Sequence, residues 1–269
     1  MGGFAHILIA TDLTDRSERA MERAAQLGRE GRAERLTLLH VVAAGLPSIL
    51  ATQQKNAAEI FLATKIAQFP AVGVPTPASA IVRTGEPFST IVGEAISGKA
   101  VLVIVGVPSK SPYVQAIVGT TAERVIRCSE RPVLLVNQPT RGAYARVLVA
   151  FDGSDGAVRG LAAALILAPE AEFRIVHAWW PPRVSFGQSD DARRIIDEDN
   201  KRLRAMVEAA AKQGASASLA TPPRLSVDMV EDNPYLVVSN ELRWPDLHSQ
   251  QGSPGEYREH WPTGTASAQ

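Results

Sequence analysis

The chain has 269 residues with 28 basic and 28 acidic side chains, so its formal net charge at pH 7 is zero. This balance excludes the overall basic field that a non-specific nucleic-acid binder shows. Hydrophobic and charged contents of 45% and 21% are those of a globular protein and exclude wholesale disorder. Cys128 is the single cysteine, so the chain forms no internal disulfide. With neither a targeting segment nor an apolar run of roughly 20 residues, we expect a cytoplasmic protein that binds neither nucleic acid nor a membrane.

Strands and helices alternate along the first half of the sequence. Short aliphatic runs predict strands at 7–11, 36–42, 79–83, 100–105 and 132–136. Apolar residues at helical spacing predict helices at 17–28, ended by Gly28, and at 57–69, 88–96 and 120–128. This alternation predicts an α/β fold with a parallel sheet and helices on both faces. Such sheets bind ligands beyond the carboxyl ends of their strands, which here carry Thr11-Asp12, Val41-Val42 and Val105-Gly106.

The second half of the sequence repeats features of the first. Residues 6–12 read HILIATD, and residues 146–152, which lie 140 positions later, read RVLVAFD. His40 corresponds in the same way to His177, with a different offset. Small changes of offset are what loop insertions between fixed elements produce, so we predict two tandem copies of one fold. The boundary is expected in the polar turn at 137–144.

The second copy is predicted to be incomplete. A long polar helix at 190–212, ended by Gly214, is followed by a strand at 225–230 and a helix at 235–243. Its charged run at 190–204 is most simply a solvated helix face. Beyond Leu247 the sequence has no Val, Ile, Leu, Met or Phe, so the expected fourth and fifth strands are missing. The predicted organisation is therefore a domain at 1–138, a partial domain at 145–247, and a disordered or frame-shifted tail at 248–269.

A glycine-containing segment follows the predicted fourth strand. Gly106-Val107-Pro108-Ser109 is separated by nine residues from Gly119-Thr120-Thr121, which opens a helix. A helix start exposes unpaired N–H groups and the positive end of a dipole, and glycine lets the backbone approach a phosphate chain. The hydroxyls of Thr120 and Thr121 add donors. Asp12, which ends the first strand, can accept from a ribose hydroxyl or help to hold a metal. Together these residues predict a nucleotide-binding loop.

The segment from Gly106 to Thr120, together with Asp12 at the end of the first strand, resembles a motif of the universal stress protein family. That motif is Gly-x2-Gly-x9-Gly-(Ser/Thr) after the fourth strand, with an Asp at the end of the first. The resemblance covers residues 4–138 and most of 145–247. It implies two tandem flavodoxin-like or Rossmann-like open parallel sheets, the second incomplete. In one branch of the family it also implies binding of ATP, alone or with Mg²⁺, without dedicated catalysis. Carried over by position, the adenine side falls on Thr11, Asp12 and Val41, and the phosphate side falls on Val105, Gly106, Ser109, Gly119, Thr120 and Thr121.

Ser109 is a departure from this pattern, because it stands where the second glycine is expected. If the backbone there needs a positive φ, a residue other than glycine costs roughly 1–2 kcal/mol. That would weaken ATP binding by about tenfold. Lys110 could offset some of this loss by reaching a phosphate. Three functions therefore stay open. The first is a stress-response regulator that binds ATP weakly to moderately in its first repeat, and the second is an interaction module that binds no nucleotide. A weak ATPase ranks last, because no residue is obviously placed as a general base near the phosphates.

Simpler local roles compete with these assignments. Thr120 and Glu123 fit a capping box, and Asp12 and Asp152 fit helix caps. His40 and His177 are expected to be hydrogen-bonded structural residues, because neither has other metal ligands at suitable spacing. No catalytic residue and no metal ligand is predicted. For assembly, the resemblance implies a homodimer through the edge strand 132–136, or an intramolecular pseudo-dimer of the two repeats.

Overall fold

The computed structural model describes residues 3–107, 121–179, 190–215, 224–231 and 236–237. Contacts divide the chain between Gly142 and Ala143 into two compact units, which we call unit 1 and unit 2. Of the predicted helix at 235–243, the structure describes only residues 236–237, which are helical. The predicted tail lies outside the described residues. In the described part of the chain, no helix is both long enough and apolar enough to cross a membrane.

Unit 1 alternates strands and helices in the predicted order. The strands are β1 (Ile7–Thr11), β2 (Leu36–Ala43), β3 (Ala78–Gly85), β4 (Leu102–Gly106) and β5 (Val133–Val136). The helices are α1 (Asp15–Arg29), α2 (Ser48–Gln68), α3 (Pro87–Ser97) and α4 (Thr121–Cys128), with a short 3-10 turn at Pro70–Val72. Across the described residues the strands form a parallel five-stranded sheet in the order β3-β2-β1-β4-β5, which confirms the predicted fold class.

The central strands carry the core of unit 1. All five residues of β1 are buried, and Ile7, Ile9 and Ile104 have no exposed surface. One face of the sheet packs on α3 and α4 through a cluster that includes Leu8, Leu39, Val103, Ile91 and Val125. Burial of each such side chain contributes about 1.5–3 kcal/mol. Strands that are covered on both faces explain the uninterrupted aliphatic runs in the sequence.

Most boundaries in unit 1 shift by one or two residues from the prediction, and two of the differences have a clear physical reason. Helix α2 begins at Ser48 rather than at 57. The sequence did not reveal this start, because the first turns of the helix are exposed and carry no apolar stripe for the core. Helix α1 does not stop at Gly28, and the left-handed residue that follows the helix is Gly31, with φ at +67°. Gly28 is needed for a different reason: a Cβ there would lie 2.8 Å from the Cγ1 of Val74. The prediction assigned to Gly28 a role that belongs to Gly31.

His6 lies buried just before β1, at the end of the sheet opposite the carboxyl ends of the strands. Its Nδ1 donates to the carbonyl oxygen of Gly98 at 2.8 Å, and its Nε2 accepts from the Thr37 hydroxyl at 2.8 Å. Burial lowers the pKa of His6 below its ordinary value, and the charge of Arg35 acts in the same direction, while the bond to Gly98 opposes both. The imidazole is therefore neutral in the folded protein at neutral pH.

We expect the stability of unit 1 to fall as the pH falls below about 6.5, the ordinary pKa of histidine. In that range the unfolded chain binds a proton at His6 before the folded chain does, so acidification favours unfolding. Urea denaturation followed by circular dichroism at pH 7, 6 and 5 measures this loss. His6→Gln removes the titrating group and should flatten the dependence on pH. Equal slopes for the two proteins would contradict the assignment.

Unit 2 has a smaller sheet than unit 1. Its elements are β6 (Arg146–Ala150), α5 (Asp155–Leu167), β7 (Glu172–Trp179), α6 (Asp190–Ala215) and β8 (Arg224–Glu231). In the ranges that the structure describes, the strands are parallel and lie in the order β6-β7-β8. Helix α6 runs through Gly214 to Ala215, so Gly214 does not end it. The core joins Phe173 and Ile175 to Leu161, Leu203 and Val207.

The exposed charges of α6 confirm the predicted solvated face. Asp197, Glu198, Lys201 and Arg202 are exposed, whereas Val207 is buried.

The edge strand β5 pairs with β4, and among the described residues it has no second neighbour in the sheet. Assembly through β5 stays a prediction.

The turns after β1 and β6 have the same geometry. Leu13 and Gly153 hold positive φ values of 62° and 76° at matching positions. The carboxylates of Asp12 and Asp152 each accept from the backbone N–H two residues later. Neither aspartate is a helix cap as proposed, because the N-cap positions are Thr14 and Ser154. Hydrogen bonds from Ser154 hold the pKa of Asp152 below its usual value.

The two histidines have the predicted structural role. His40 donates from Nδ1 to the carbonyl oxygen of Thr11 at 2.9 Å, and His177 donates from Nδ1 to the carbonyl oxygen of Phe151 at 2.7 Å. Each ring therefore ties the second strand of its unit to the end of the first. In the described residues, no group of three or more His, Cys, Asp or Glu side chains is placed to hold a metal ion.

Candidate functional site

A cavity of about 280 Å³ opens at the carboxyl ends of the central strands of unit 1. The strand order reverses between β1 and β4, since β1 connects to β2 on one side while β4 lies on the other. Ligands of open α/β sheets bind in the crevice at such a reversal. The register pairs Thr11 with His40 and Ala10 with Val105, which brings the ends of three strands to this crevice. The first residues of α1, α3 and α4 complete its lining.

One side of the cavity is apolar. Its wall is formed by residues of β2, α3, β4 and α4 and by Val107, which directly follows β4. These residues are Leu39, Val41, Ile91, Val105, Val107 and Ala122. Most of these residues belong to the core cluster under α3 and α4, and Val41 packs against it from a half-buried position. A packed apolar wall of this kind suits a flat, uncharged ring, and a few polar groups at the rim set its orientation.

Thr11 lines the cavity, yet its hydroxyl is committed to the β1–α1 turn. The Thr11 hydroxyl donates to the Ser17 hydroxyl at 2.8 Å and accepts from the Leu13 N–H at 3.0 Å. The Ser17 hydroxyl in turn donates to the carbonyl oxygen of Thr14 at 2.8 Å. Thr11 therefore shapes the turn that presents Asp12. Thr11, predicted for the adenine side, thus lies in the cavity lining with its hydroxyl already bonded within the turn.

Asp12 stands at the exposed rim of the cavity. Its Oδ1 accepts from the Thr14 N–H at 3.1 Å and from the Thr14 hydroxyl at 2.5 Å. Its Oδ2 lies 3.9 Å from a guanidinium nitrogen of Arg16. Partial burial would raise the pKa of Asp12, but the hydrogen bonds from Thr14 and Ser17 and the charge of Arg16 outweigh it and lower the pKa. Asp12 is therefore ionised at neutral pH, and Oδ2 can accept a hydrogen bond from a ligand hydroxyl.

His40 contributes a second polar group to the lining. Because Nδ1 donates to the Thr11 carbonyl, Nε2 is the ring nitrogen that remains for a ligand in the cavity. From the sequence only a structural role was predicted for His40, and its place in the cavity wall was missed. The signal was present, since His40 directly precedes Val41 at the predicted end of β2.

Gly106 ends β4 where the strand touches α1. A Cβ on Gly106 would lie 2.2 Å from the carbonyl oxygen of Arg16 and 2.8 Å from the Cα of Ser17. No side chain fits this gap, so glycine is required for the contact between β4 and the first turn of α1. The reason predicted for this glycine was the close approach of a ligand. The structure shows a second reason for glycine, because the space that a side chain would need is occupied by the protein's own backbone.

The start of α4 reaches the cavity through Thr121 and Ala122. A contact between α3 and α4 holds it in place: Arg124 donates to Glu86 Oε1 at 2.8 Å and stacks 3.6 Å from the centre of the Phe88 ring. The other oxygen of Glu86 caps α3 by accepting from the Ser89 N–H at 3.0 Å. The positive end of the α4 dipole is thereby fixed at the cavity, where it favours an anion.

The Universal stress protein family model matches residues 3–137, which is half of the chain. The chain belongs to the universal stress protein family. Among solved structures, a universal stress protein from Archaeoglobus fulgidus DSM 4304 aligns with a TM-score of 0.61 and 19% identity, over 89% of this chain and 82% of that one. That likeness covers both units and shows the fold. No protein among the curated sequences is significantly similar to the chain.

Other members of the family match about half of the chain. A protein of the universal stress protein family from Burkholderia pseudomallei is 26% identical over 50% of this chain and 96% of its own, with a TM-score of 0.41. A universal stress protein from Archaeoglobus fulgidus in complex with dAMP is 18% identical over 51% of this chain and 100% of its own, with a TM-score of 0.39.

The structure brings together the described residues of the family pattern. Asp12, Val41, Val105, Gly106 and Thr121 line the cavity alongside Thr11. Ser109, Gly119 and Thr120, predicted for the phosphate side, lie outside the described residues, and so does the proposed capping box on Thr120. The lining also includes residues that the sequence analysis did not single out as site residues, among them Arg16, Ser17, Pro87 and Ile91. For Arg16 a signal existed, because it follows Asp12 by four residues with the opposite charge.

Proposed function

We propose that unit 1 binds an adenine nucleotide, ATP, and that this universal stress protein acts in the stress response through the occupancy of that site. The observation that carries the proposal is the cavity at the strand-order reversal, where an apolar wall meets a rim with a carboxylate and a helix N-terminus. Its volume of about 280 Å³ is close to the lower end of the range for small-molecule sites.

Each part of the nucleotide has a matching part of the cavity in this proposal. The adenine lies against the apolar wall beside Val41, and the ribose hydroxyls donate to Asp12. The phosphates lie toward the described start of α4, where the helix dipole favours an anion. If Mg²⁺ accompanies ATP, Asp12 is the carboxylate of the lining that can reach it, and the remaining ligands come from phosphates and water.

We infer that the site binds its nucleotide without dedicated catalysis. The carboxylate at the rim, Asp12, has a lowered pKa, and a general base is most effective when its pKa is near the working pH. A nucleotide that contacts β2, α1 and α4 orders the surface at the carboxyl ends of the strands. In this proposal, that ordered surface is the regulatory signal. Release of phosphate above the buffer rate by the purified chain would contradict the non-catalytic part of the proposal.

The test is equilibrium binding of ATP to the full chain with Mg²⁺ present, compared with two valine variants. We expect saturable binding below millimolar for the wild type. Val41→Glu places a charge in the apolar wall and should weaken ATP binding more than tenfold, because the carboxylate is desolvated by the base and repels the phosphates. Val101→Glu changes an exposed valine outside the cavity lining and should leave binding unchanged.

Two results would count against nucleotide binding. One is the absence of saturable ATP binding by the wild type below millimolar, which would favour an interaction module of the same fold. The other is an equal effect of Val41→Glu and Val101→Glu, which would remove the cavity as the place of binding. Melting temperatures of the three proteins establish that the variants are folded.

A further inference from the structure

Arg16 is a cation at the rim of the cavity, in the first turn of α1. It lines the cavity beside Asp12, and its side chain is 51% exposed. Among the residues that the structure describes, its guanidinium has one partner, Asp12, at 3.9 Å. This distance is beyond that of a hydrogen bond, and exposed ion pairs contribute little to stability. The guanidinium can therefore leave Asp12 at small cost.

Asp12 does not depend on Arg16 for its own hydrogen bonds. The backbone and the hydroxyl of Thr14 both donate to Oδ1, and the carboxylate is 56% exposed to solvent. Movement of the guanidinium toward a ligand leaves no buried charge unpaired. The turn therefore does not need the Asp12–Arg16 ion pair, and the Arg16 guanidinium can exchange Asp12 for a ligand.

The main chain of Arg16 is held in place by its neighbours. Gly106 packs directly on the Arg16 carbonyl, where there is no room for a Cβ. The next residue, Ser17, is buried and its hydroxyl joins Thr11 to Thr14. The side chain therefore extends from a fixed point at the junction of β4 and α1, and only its own rotamers need to be ordered when it binds a ligand.

We propose that Arg16 binds the phosphate groups of the nucleotide and makes the cavity selective for phosphorylated nucleotides over nucleosides. This inference rests on the proposed function. The guanidinium presents a planar fork of N–H donors that matches two phosphate oxygens. Its positive charge also offsets the negative charge of Asp12, which by itself would repel a phosphate chain at this rim. Together with the start of α4, Arg16 places positive charge on two elements of the cavity lining.

The test compares four ligands on four forms of the full chain by isothermal titration calorimetry. The ligands are ATP, AMP, adenosine and tripolyphosphate, and the proteins are the wild type, Arg16→Gln, Arg16→Lys and Arg29→Gln. Arg29 is an exposed arginine in the last turn of the same helix and outside the cavity lining, so Arg29→Gln is the matched control. Arg16→Lys keeps the charge that neutralises Asp12 and loses the planar fork.

We expect Arg16→Gln to bind ATP about tenfold more weakly and to bind adenosine with unchanged affinity. AMP and tripolyphosphate should also bind more weakly to this variant, which separates phosphate recognition from recognition of the base. Arg16→Lys should lose less affinity for ATP than Arg16→Gln, and Arg29→Gln should match the wild type with every ligand.

Other outcomes overturn the inference in distinguishable ways. An equal loss for ATP and adenosine in Arg16→Gln would mean that Arg16 shapes the turn and does not contact phosphate. Unchanged ATP affinity in Arg16→Gln would remove Arg16 from the site while leaving the proposed function intact. Failure of the wild type to bind any of the four ligands would overturn the proposed function itself and the role of Arg16 with it.

Discussion

Gly106→Ala is expected to destabilise unit 1 by about 3 kcal/mol and to weaken binding at the cavity. The added Cβ would lie 2.2 Å from the Arg16 carbonyl oxygen and 2.8 Å from the Cα of Ser17. Both obstacles are backbone atoms, so no side-chain rotamer relieves the overlap. Either β4 or the first turn of α1 must shift, and both carry residues of the cavity lining.

Hydrogen exchange followed by mass spectrometry is the suitable measurement, because peptides from β4 and α1 report on unit 1 directly. Tryptophan fluorescence does not serve here, since all four tryptophans follow residue 142 in the sequence. Gly93→Ala is the matched control: Gly93 lies in α3, and an added Cβ there meets no described atom within 4 Å. This control should gain about 0.5–1 kcal/mol from higher helix propensity. Equal protection in Gly106→Ala and the wild type would show that the contact between β4 and α1 is looser than described.

Phe173→Ala is expected to lower the stability of unit 2 by about 4 kcal/mol. Phe173 lies on β7, is completely buried, and belongs to the core that joins α5 and α6 to the sheet. Truncation to alanine removes the ring from the contact with Leu161 and Leu203 and leaves a cavity that the packed helices fill only in part. Urea denaturation monitored by tryptophan fluorescence measures the change, because Trp179 ends the same strand.

The control for Phe173→Ala is Leu236→Ala in the same unit. Leu236 is 49% exposed, and substitution of an exposed side chain changes stability by about 0.5 kcal/mol or less. A shift of the urea midpoint in Phe173→Ala that is no larger than in Leu236→Ala would mean that the core around Phe173 does not hold unit 2 together. A large shift in Phe173→Ala alone would support the described core.

The order of elements in unit 1 was predictable because the signals for it are local. The aliphatic runs of β1 and β4 belong to strands that are buried on both faces, and such runs are visible in a window of a few residues. Alternation with helices then indicates a parallel sheet. The start of α2 was not predictable, because its first turns are exposed and lack the apolar stripe that marks a packed helix.

The candidate site was predictable in its position but only partly in its chemistry. Asp12, Val41 and Thr121 line the cavity as expected, because each stands at the carboxyl end of a strand or at the start of a helix. For Thr11 and Gly106 the structure adds contacts within the protein that the sequence did not indicate. The Thr11 hydroxyl bonds to Ser17, and Gly106 is constrained by Arg16, so in both cases the partner belongs to α1.

The amino-acid sequence by itself determined which elements form, their order, and the strand ends at which a ligand can bind, because hydrophobic periodicity and turn residues act over short stretches of chain. Only the tertiary structure decided which groups remain available there. The hydrogen bond of His40 to Thr11 occupies a polar group of the lining, and the close packing of Gly106 on Arg16 fixes the backbone from which the Arg16 side chain extends. Pairings of this kind depend on the packing of whole elements, and no local pattern specifies them.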